Sequence, residues 1–203
     1  MAILLAVATY ILGWSGFFTV SSVEITGTKT QLSSGIAVGQ KLARIESRAV
    51  AAQFEELDWV ADAQVSRNWI NGKVTIEITE RIPVAIYNNL VIDSSGKSFA
   101  LRGKPSQELV QIQASDISAA TSAVSFFTSL PSDITSVLTV VKVRGTGALV
   151  LELDNAGKKL EVRWGDNSEN ELKFKVYQAL LALPENATIT RIDVSAPHAP
   201  IVK

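Results

Sequence analysis

The side chains that usually carry catalysis or bind metals are scarce in this chain. His198 is the single histidine, and it lies in a proline-bounded segment near the end of the sequence. A nucleophilic triad needs a base that a third group orients beside a nucleophile. The chain has no cysteine, which excludes a thiolate metal site, a cysteine nucleophile and a disulfide framework together. No pair of carboxylates has the spacing of a metal site. The sequence therefore predicts no catalytic residue and no metal site.

The remaining motifs with chemical potential have ordinary structural explanations. Glu55 and Glu56 are neighbours on a predicted helix, so their side chains point to different faces, as solvated surface residues do. The segments 145–147 and 71–72 contain glycine but lack the lysine and the following helix of a P-loop. The net charge is -1, and no run of basic residues indicates nucleic-acid binding. We predict no cofactor and no enzymatic activity.

An uncharged apolar segment, residues 2–20, is the first element that positions the rest of the chain. Nineteen helical residues span about 28 Å, close to the hydrocarbon thickness of roughly 30 Å. We predict a transmembrane anchor over residues 1–20. A cleaved signal peptide and a buried core helix are the alternatives, although the basic n-region of a signal peptide is missing. No Lys or Arg precedes the segment, so we expect a cytoplasmic tail upstream of Met1.

Residues 21–81 have the pattern of a small α+β domain in the order strand, loop, helix, strand, strand. Ser47 is the predicted N-cap of the helix, and Asn71-Gly72 is the predicted turn of a β-hairpin. Pro83 cannot donate to a strand ladder, so pairing is expected to end before it. The predicted inward side chains are Val50, Phe54 and Leu57 on the helix, Ala61, Ala63 and Val65 on the second strand, and Val74, Ile76 and Ile78 on the third.

Residues 82–203 have the pattern of a second domain, a mostly antiparallel sheet with two helices. Ser115 or Asp116 is the predicted cap of the first helix, which Pro131 ends. Asp166 and Glu169 form a predicted capping box for the second helix. The apolar positions are Ile117, Ala120, Val124, Phe127 and Leu130 on the first helix and Leu172, Val176, Leu180 and Leu183 on the second.

The last predicted strand of this domain is a candidate binding surface. No further predicted strand follows it, and an exposed sheet edge is a template for a strand of another protein. Pro197 and Pro200 lack an N–H and would confine such pairing to residues 190–196. A purely structural role for this strand is the alternative. Trp69, in the hairpin turn, is a secondary contact candidate. The predicted partner-binding residues are Thr190, Arg191, Ile192, Asp193, Val194, Ser195 and Ala196.

Four segments, in order after the apolar anchor, resemble the FtsQ/DivIB family of bacterial cell-division proteins. They are WVADAQVSRNW…VTIEITERIPVA, LVIDSSGKSF, DNSENELKFKVYQALLAL and ITRIDVSAPHAP. The resemblance covers nearly the whole chain, and its ending is most similar to the actinobacterial branch. Family members often carry an aromatic residue near the position of Ser195 or Ala196, and this chain has none there.

This resemblance implies a fold and a function. Residues 21–81 would be a POTRA domain and residues 82–203 the family's β domain. The protein would be a single-pass protein of the cytoplasmic membrane at the division septum, with its bulk outside the cytoplasm. It would be a non-enzymatic organiser that binds the coiled-coil proteins FtsB and FtsL, contacts septal peptidoglycan synthase components, and accepts a strand of FtsB at residues 190–196. A POTRA-bearing polypeptide-transport or membrane-assembly component is the alternative.

Overall fold

The computed structural model describes residues 18–105 and 107–203. The predicted anchor lies outside these residues, except for its last three positions. In the part of the chain so described, no helix combines the length and the apolar character that a membrane crossing needs. The chain divides into two compact units, the first extending through Arg81 and the second running from Ile82 to Lys203.

Over residues 18–81, the first unit is a three-stranded sheet with one helix packed on it, in the predicted order of elements. Its helix is α1 (Ser47–Glu55), and a 3-10 turn (Leu42–Arg44) precedes it. The strands are β1 (Ser22–Thr26), β2 (Val60–Arg67) and β3 (Lys73–Glu80). Strand β3 is central, parallel to β1 and antiparallel to β2. The buried core consists of Ala51, Phe54, Val60, Ala63, Ile76 and Ile78.

Two details of the first unit differ from the prediction. Ala61 is exposed, and Val60 takes the buried position at the start of β2. A β-bulge is the reason: Val60 is opposite Glu80 and Asp62 is opposite Thr79, so Ala61 is an extra residue and the alternation shifts by one. Ser47 is the first helical residue, because Glu46 takes the N-cap position without a side-chain hydrogen bond.

The second unit contains, among its described residues, a nine-stranded sheet. The strands are β4 (Pro83–Tyr87), β5 (Leu90–Asp93), β6 (Ser98–Ala100), β7 (Val110–Gln113), β8 (Leu138–Val143), β9 (Leu149–Asn155), β10 (Lys158–Gly165), β11 (Arg191–Asp193) and β12 (Ile201–Val202). Their order in the sheet is β12-β11-β10-β9-β8-β7-β4-β5-β6. Three neighbouring pairs are parallel (β4 with β7, β7 with β8, β10 with β11), and the other pairs are antiparallel. The mostly antiparallel prediction is therefore confirmed.

Two twelve-residue helices pack on this sheet, α2 (Ile117–Thr128) and α4 (Asn170–Leu181). Two single turns accompany them, α3 (Ser132–Thr135) and a 3-10 turn (Pro184–Asn186). The predicted Asp116 cap is confirmed, because its carboxylate accepts a hydrogen bond from the Ala119 N–H at 2.9 Å. The predicted inward face of α2 is also confirmed, apart from Ile117, which is exposed.

The predicted capping box of α4 is wrong, and its predicted apolar face is confirmed only in part, because Val176 and Leu180 pack against the core at its margin. Glu169 has a left-handed backbone (φ 50°) and makes no side-chain capping bond. The Asp166 carboxylate instead accepts a hydrogen bond from the Lys173 ammonium at 2.7 Å, which lowers the pKa of Asp166. Lys173 and Tyr177 are the buried residues of α4, so the buried face lies one position away from the predicted one and leaves Leu183 exposed. A hydropathy pattern cannot identify this face, because it counts a lysine as a surface residue.

One core joins the sheet and both long helices of the second unit. Phe126 on α2 packs edge-on against Trp164 on β10 with ring centroids 5.7 Å apart, and Tyr177 on α4 belongs to the same buried cluster. Because the two helices share this cluster, they lie on the same face of the sheet. The opposite face carries charged residues such as Glu161 and Arg163 on β10. We call it the outer face.

Candidate partner-binding surfaces

The predicted binding strand lies inside the sheet, one position from its edge. Strand β11 runs parallel to β10, with Ile192 opposite Val162. On its other side it pairs antiparallel with β12, where Ile192 is opposite Val202. The prediction that residues 190–196 form the sheet edge is therefore wrong, because the chain returns after the two prolines and adds a further strand. Whether residues 190–196 contact a partner stays a prediction.

Backbone hydrogen bonds occupy both sides of this segment. The Val194 N–H donates to the Arg163 carbonyl at 2.9 Å, on the β10 side. The Thr190 and Arg191 N–H groups donate to the Lys203 carbonyl at 2.9 and 3.0 Å, on the β12 side. Ile192 and Val194 are fully buried in the core. A strand from another protein therefore has no free ladder positions here unless β12 leaves.

The proline segment forms the turn that brings β12 back. The Asp193 carboxylate accepts hydrogen bonds from the Ser195 N–H at 3.0 Å and from the Ser195 hydroxyl at 2.6 Å. The Ala199 N–H then donates to the Ala196 carbonyl at 2.9 Å, while Pro197 is buried and His198 is exposed. The two prolines thus shape a return of the chain and do not blunt an open edge.

Strand β12 is one of the two edge strands of the described sheet, and β6 is the other. The N–H and carbonyl of Lys203 both bond to Arg191, so these groups face β11. Successive residues of an antiparallel strand face alternate sides, which directs the Val202 N–H and carbonyl away from the sheet. Ile201 is 66% exposed and Val202 is 37% exposed. One backbone donor and one acceptor, both of Val202, are thus available together with two exposed β-branched side chains at this edge.

Charged residues on the outer face connect β11 to β10. Glu161 accepts from Arg191 at 2.8 Å and from Arg163 at 3.2 Å. Burial by itself raises the pKa of Glu161, but the hydrogen bonds and charges of the two arginines exceed that effect and lower it. Ser195 and these side chains line a groove of about 440 Å³. Arg191 is therefore already paired within the sheet, and it fixes the position of β11 in addition to any role toward a partner.

Trp69 lies at the tip of the β2–β3 hairpin, where side chains hold it in place. Its ring packs edge-on against Phe18 with centroids 5.9 Å apart, and the Arg67 guanidinium lies 5.4 Å from the ring centroid. The same guanidinium donates to the carbonyls of Leu42 and Ile45 at 3.0 and 2.9 Å. A contact between Trp69 and a partner stays a prediction.

Within residues 18–105 and 107–203, no group of three or more histidine and acidic side chains could hold a metal ion. His198 lies in the exposed turn before β12.

The sequence interpretation missed strand β12 and the Asp166–Lys173 pair. Ile201 and Val202 are both β-branched, which favours a strand, but two residues are too few to show alternation. No sequence signal marks the Asp166–Lys173 pair, because the two residues are seven positions apart with a turn and a helix start between them.

Comparison with known proteins agrees with the resemblance seen in the sequence. Residues 18–81 match the family model of the POTRA domain, FtsQ-type. The chain is also similar to the cell division protein FtsQ of Corynebacterium glutamicum, with 25% identity over 197 residues. That alignment covers 89% of this chain and 86% of the relative. The resemblance to the FtsQ/DivIB family, and to its actinobacterial branch, is confirmed.

Proposed function

We propose, from the premise of this similarity to the FtsQ/DivIB family, that the chain is a non-enzymatic scaffold of the bacterial division complex. In this proposal residues 1–20 include a membrane anchor, and the two folded units lie outside the cytoplasm at the septum. The scaffold binds FtsB- and FtsL-type coiled-coil proteins and helps control septal peptidoglycan synthesis. Its contribution is binding and positioning, without a chemical step of its own.

The extent of the similarity is the observation that carries this proposal. The aligned relative is a cell division protein, and the alignment covers 89% of the chain, so it extends well beyond the POTRA match at residues 18–81. A POTRA unit alone would be compatible with several classes of protein. Similarity across both units favours a division protein over a transport or membrane-assembly component.

The geometry of β12 supports strand addition as the binding mode. A partner strand at this edge can accept a hydrogen bond from the Val202 N–H and donate one to the Val202 carbonyl. The exposed apolar side chains of Ile201 and Val202 are available to it as well. Residues 190–196 then act mainly from the second position of the sheet: β11 supports β12, and Arg191 and Asp193 lie beside it on the outer face. The proposed binding edge is thus shifted from the predicted segment to the adjacent strand.

A proline substitution at Val202 tests this binding mode. Val202→Pro removes the outward N–H but keeps the bonds between Lys203 and Arg191, so the folded unit should persist. Loss of one main-chain hydrogen bond with an unsatisfied partner costs about 1–3 kcal/mol, so we expect roughly tenfold weaker binding or more. Binding to a purified FtsB-type partner is measured by titration calorimetry.

Val202→Thr is the matched control, because it keeps both the N–H and the β-branch and should bind nearly as well as the parent chain. Equal affinity of Val202→Pro and the parent would exclude strand addition at β12 while leaving other modes of scaffolding open. Septal localisation is tested separately with a fluorescent fusion. A uniform envelope signal, without enrichment at mid-cell, would contradict the division function itself.

A further inference from the structure

The large apolar side chains that the first unit exposes, within residues 18–81, all lie at one end. They are Ile70, 98% exposed, Val38, 70% exposed, and Trp69, 37% exposed. Phe18 is half-buried beside Trp69. We call these four residues the tip patch. Scattered single apolar residues need no explanation, but several at one end of a small unit indicate a binding surface.

Hydrogen bonds connect the hairpin tip to the residues that directly follow the apolar N-terminal segment. The Ser21 N–H donates to the Gly72 carbonyl at 2.9 Å, and the Ser21 hydroxyl donates to the Asn71 carbonyl at 2.6 Å. Gly72 has a φ of 73°, and a Cβ at this position would overlap the Thr19 carbonyl oxygen. The tip is therefore packed against residues 19–21 and cannot move far from them.

The loop that carries Val38 is held at the same place. The Gly39 N–H donates to the Val20 carbonyl, and the Val20 N–H donates to the Gln40 carbonyl, both at 2.8 Å. Val20 itself is buried in a small cluster with Leu42, Ile45 and Val74. The tip patch thus surrounds the point where the chain passes from residues 2–17, which are uncharged and mostly apolar, into the folded unit.

Charge is distributed unevenly between the two ends of the first unit. The tip end carries Lys41 beside Thr19, Arg67 against Trp69, and Lys73, together with the acidic residues Glu24, which pairs with Lys73 at 2.6 Å, and Glu46. The far end is mainly acidic, with Glu55 and Glu56 at the end of α1, Asp58 after it and Glu80 at the end of β3, against Arg81, which donates to the Asp58 carbonyl at 3.0 Å. Apolar and basic side chains therefore occur together at the tip end.

We propose that the tip patch rests on the membrane surface, with Ile70, Val38 and Trp69 at the lipid headgroups and the neighbouring basic residues facing anionic lipid. This inference rests on the proposed membrane anchor. Trp and aliphatic side chains flanked by Lys and Arg are typical of surfaces that lie in the membrane interface. Because Ser21 is hydrogen-bonded to Gly72, no linker separates the tip from an anchor that ends near Phe18. Such an anchor would therefore keep the tip close to the bilayer. The patch would give the first unit a fixed orientation on the membrane.

Site-specific labelling of the full chain tests the contact. The sequence has no cysteine, so Ile70→Cys, Val38→Cys and Glu56→Cys each accept one environment-sensitive NBD label. Glu56 is exposed at the far end and is the matched control. The labelled chains are reconstituted in vesicles of equimolar phosphatidylglycerol and phosphatidylcholine that contain headgroup-labelled spin lipid. We expect quenching and blue-shifted emission at positions 70 and 38, neither at position 56, and less quenching in pure phosphatidylcholine.

The outcomes separate the lipid contact from the anchor. If the chain floats with the vesicles but positions 70 and 38 are quenched no more than position 56, the lipid contact is overturned and the anchor stands. If the chain does not float, the anchor fails and the lipid contact with it. A Trp69→Ser change in the Ile70→Cys chain should reduce the quenching. Unchanged quenching would show that the label itself enters the bilayer, and would overturn the proposed surface.

Discussion

The hairpin tip of the first unit and the β12 edge of the second unit are both ends of β structure, but they offer different chemistry. The tip presents side chains: an indole, an isoleucine that is 98% exposed and nearby basic groups. The edge presents backbone, since the groups of Val202 face away from the sheet. Exposed apolar and basic side chains suit a lipid interface, where no residue-to-residue alignment is needed. Unpaired backbone N–H and carbonyl groups suit a protein strand, which must pair in a fixed register.

The two regions also differ in how firmly they are held. The tip is fixed by close backbone contact, with Gly72 against Thr19 and with two hydrogen bonds from Ser21. Strand β12 has two residues and is held by a few hydrogen bonds to β11. We infer that the tip works as a rigid platform, while the edge can adapt or be reinforced when a partner strand adds to it.

The largest expected effect comes from Gly72→Ala. A Cβ there overlaps the Thr19 carbonyl and lies 3.0 Å from the Ser21 nitrogen, and φ is 73°. Left-handed backbone costs a non-glycine residue about 1–2 kcal/mol, and displacement of the backbone adds to that. We expect the first unit to lose roughly 2–4 kcal/mol of opening free energy, measured by hydrogen exchange of peptides from residues 18–81.

Gly35→Ala is the matched control for this change. Gly35 has a similar φ of 67° and no neighbouring atom within 4 Å of an added Cβ. Gly35→Ala should therefore lower the opening free energy only by the cost of a left-handed backbone at alanine, about 1 kcal/mol. Equal losses for the two variants would show that the contact between the tip and residues 19–21 contributes little, and the rigid-platform interpretation would be wrong.

The tip was easier to predict from the sequence than the edge, for physical reasons. Strand β3 is long enough to show alternation, and Val74, Ile76 and Ile78 are all buried as predicted. The Asn71-Gly72 turn has local chemistry that is visible in two residues. The Ala61 bulge was not visible, because it depends on how β2 pairs with β3. A pattern on one strand contains no information about register on its neighbour.

The edge depends on long-range pairing of short segments. Strand β11 has three residues and β12 has two, so neither has a period that hydropathy can detect. Pro197 and Pro200 predict the end of the sheet, since neither can donate to a ladder, but prolines also favour turns, and here they precede a further strand. Local sequence signals therefore predict where the chain turns, but not which strands pair. Strand pairing depends on how the core packs.

An intermediate effect is expected in hydrogen exchange at the edge. The N–H groups of Thr190 and Arg191 bond to Lys203 across the short β12, whereas the Val194 N–H bonds to Arg163 in the long β10. Local opening spans from about 0 kcal/mol to the global unfolding free energy, and short edge strands lie at the low end. We expect residues 190 and 191 to exchange much faster than residue 194, as measured by NMR.

A bound partner strand should change this difference. Pairing at Val202 would restrain β12 and slow the exchange of residues 190 and 191, with little change at residue 194. Slow exchange of all three amides in the free chain would show that β12 is already as firm as β11. In that case the two regions would not differ in rigidity, and only the exposed chemistry would distinguish them.

The smallest expected effect is the pH dependence of the link between β10 and β11. Because Arg163 and Arg191 lower the pKa of Glu161, its ionised form favours the folded state. This stabilisation is fully present above the unfolded-state pKa of about 4.3 and is lost as pH falls through the lower folded-state pKa. Arg191 and Arg163 are 38% and 47% exposed, so solvent screening limits this stabilisation to less than about 1 kcal/mol.

Glu161→Gln should remove this part of the acid sensitivity at residues 190–194. The matched control is Glu171→Gln, which removes the exposed pair with Lys175 on α4 and should leave the acid sensitivity at residues 190–194 unchanged. The pKa of the Glu161 carboxyl is measured by NMR titration. A pKa at or above that of glutamate in an unfolded peptide would mean that the arginines do not stabilise the ionised carboxylate. Strand β11 would then be positioned by its core residues alone.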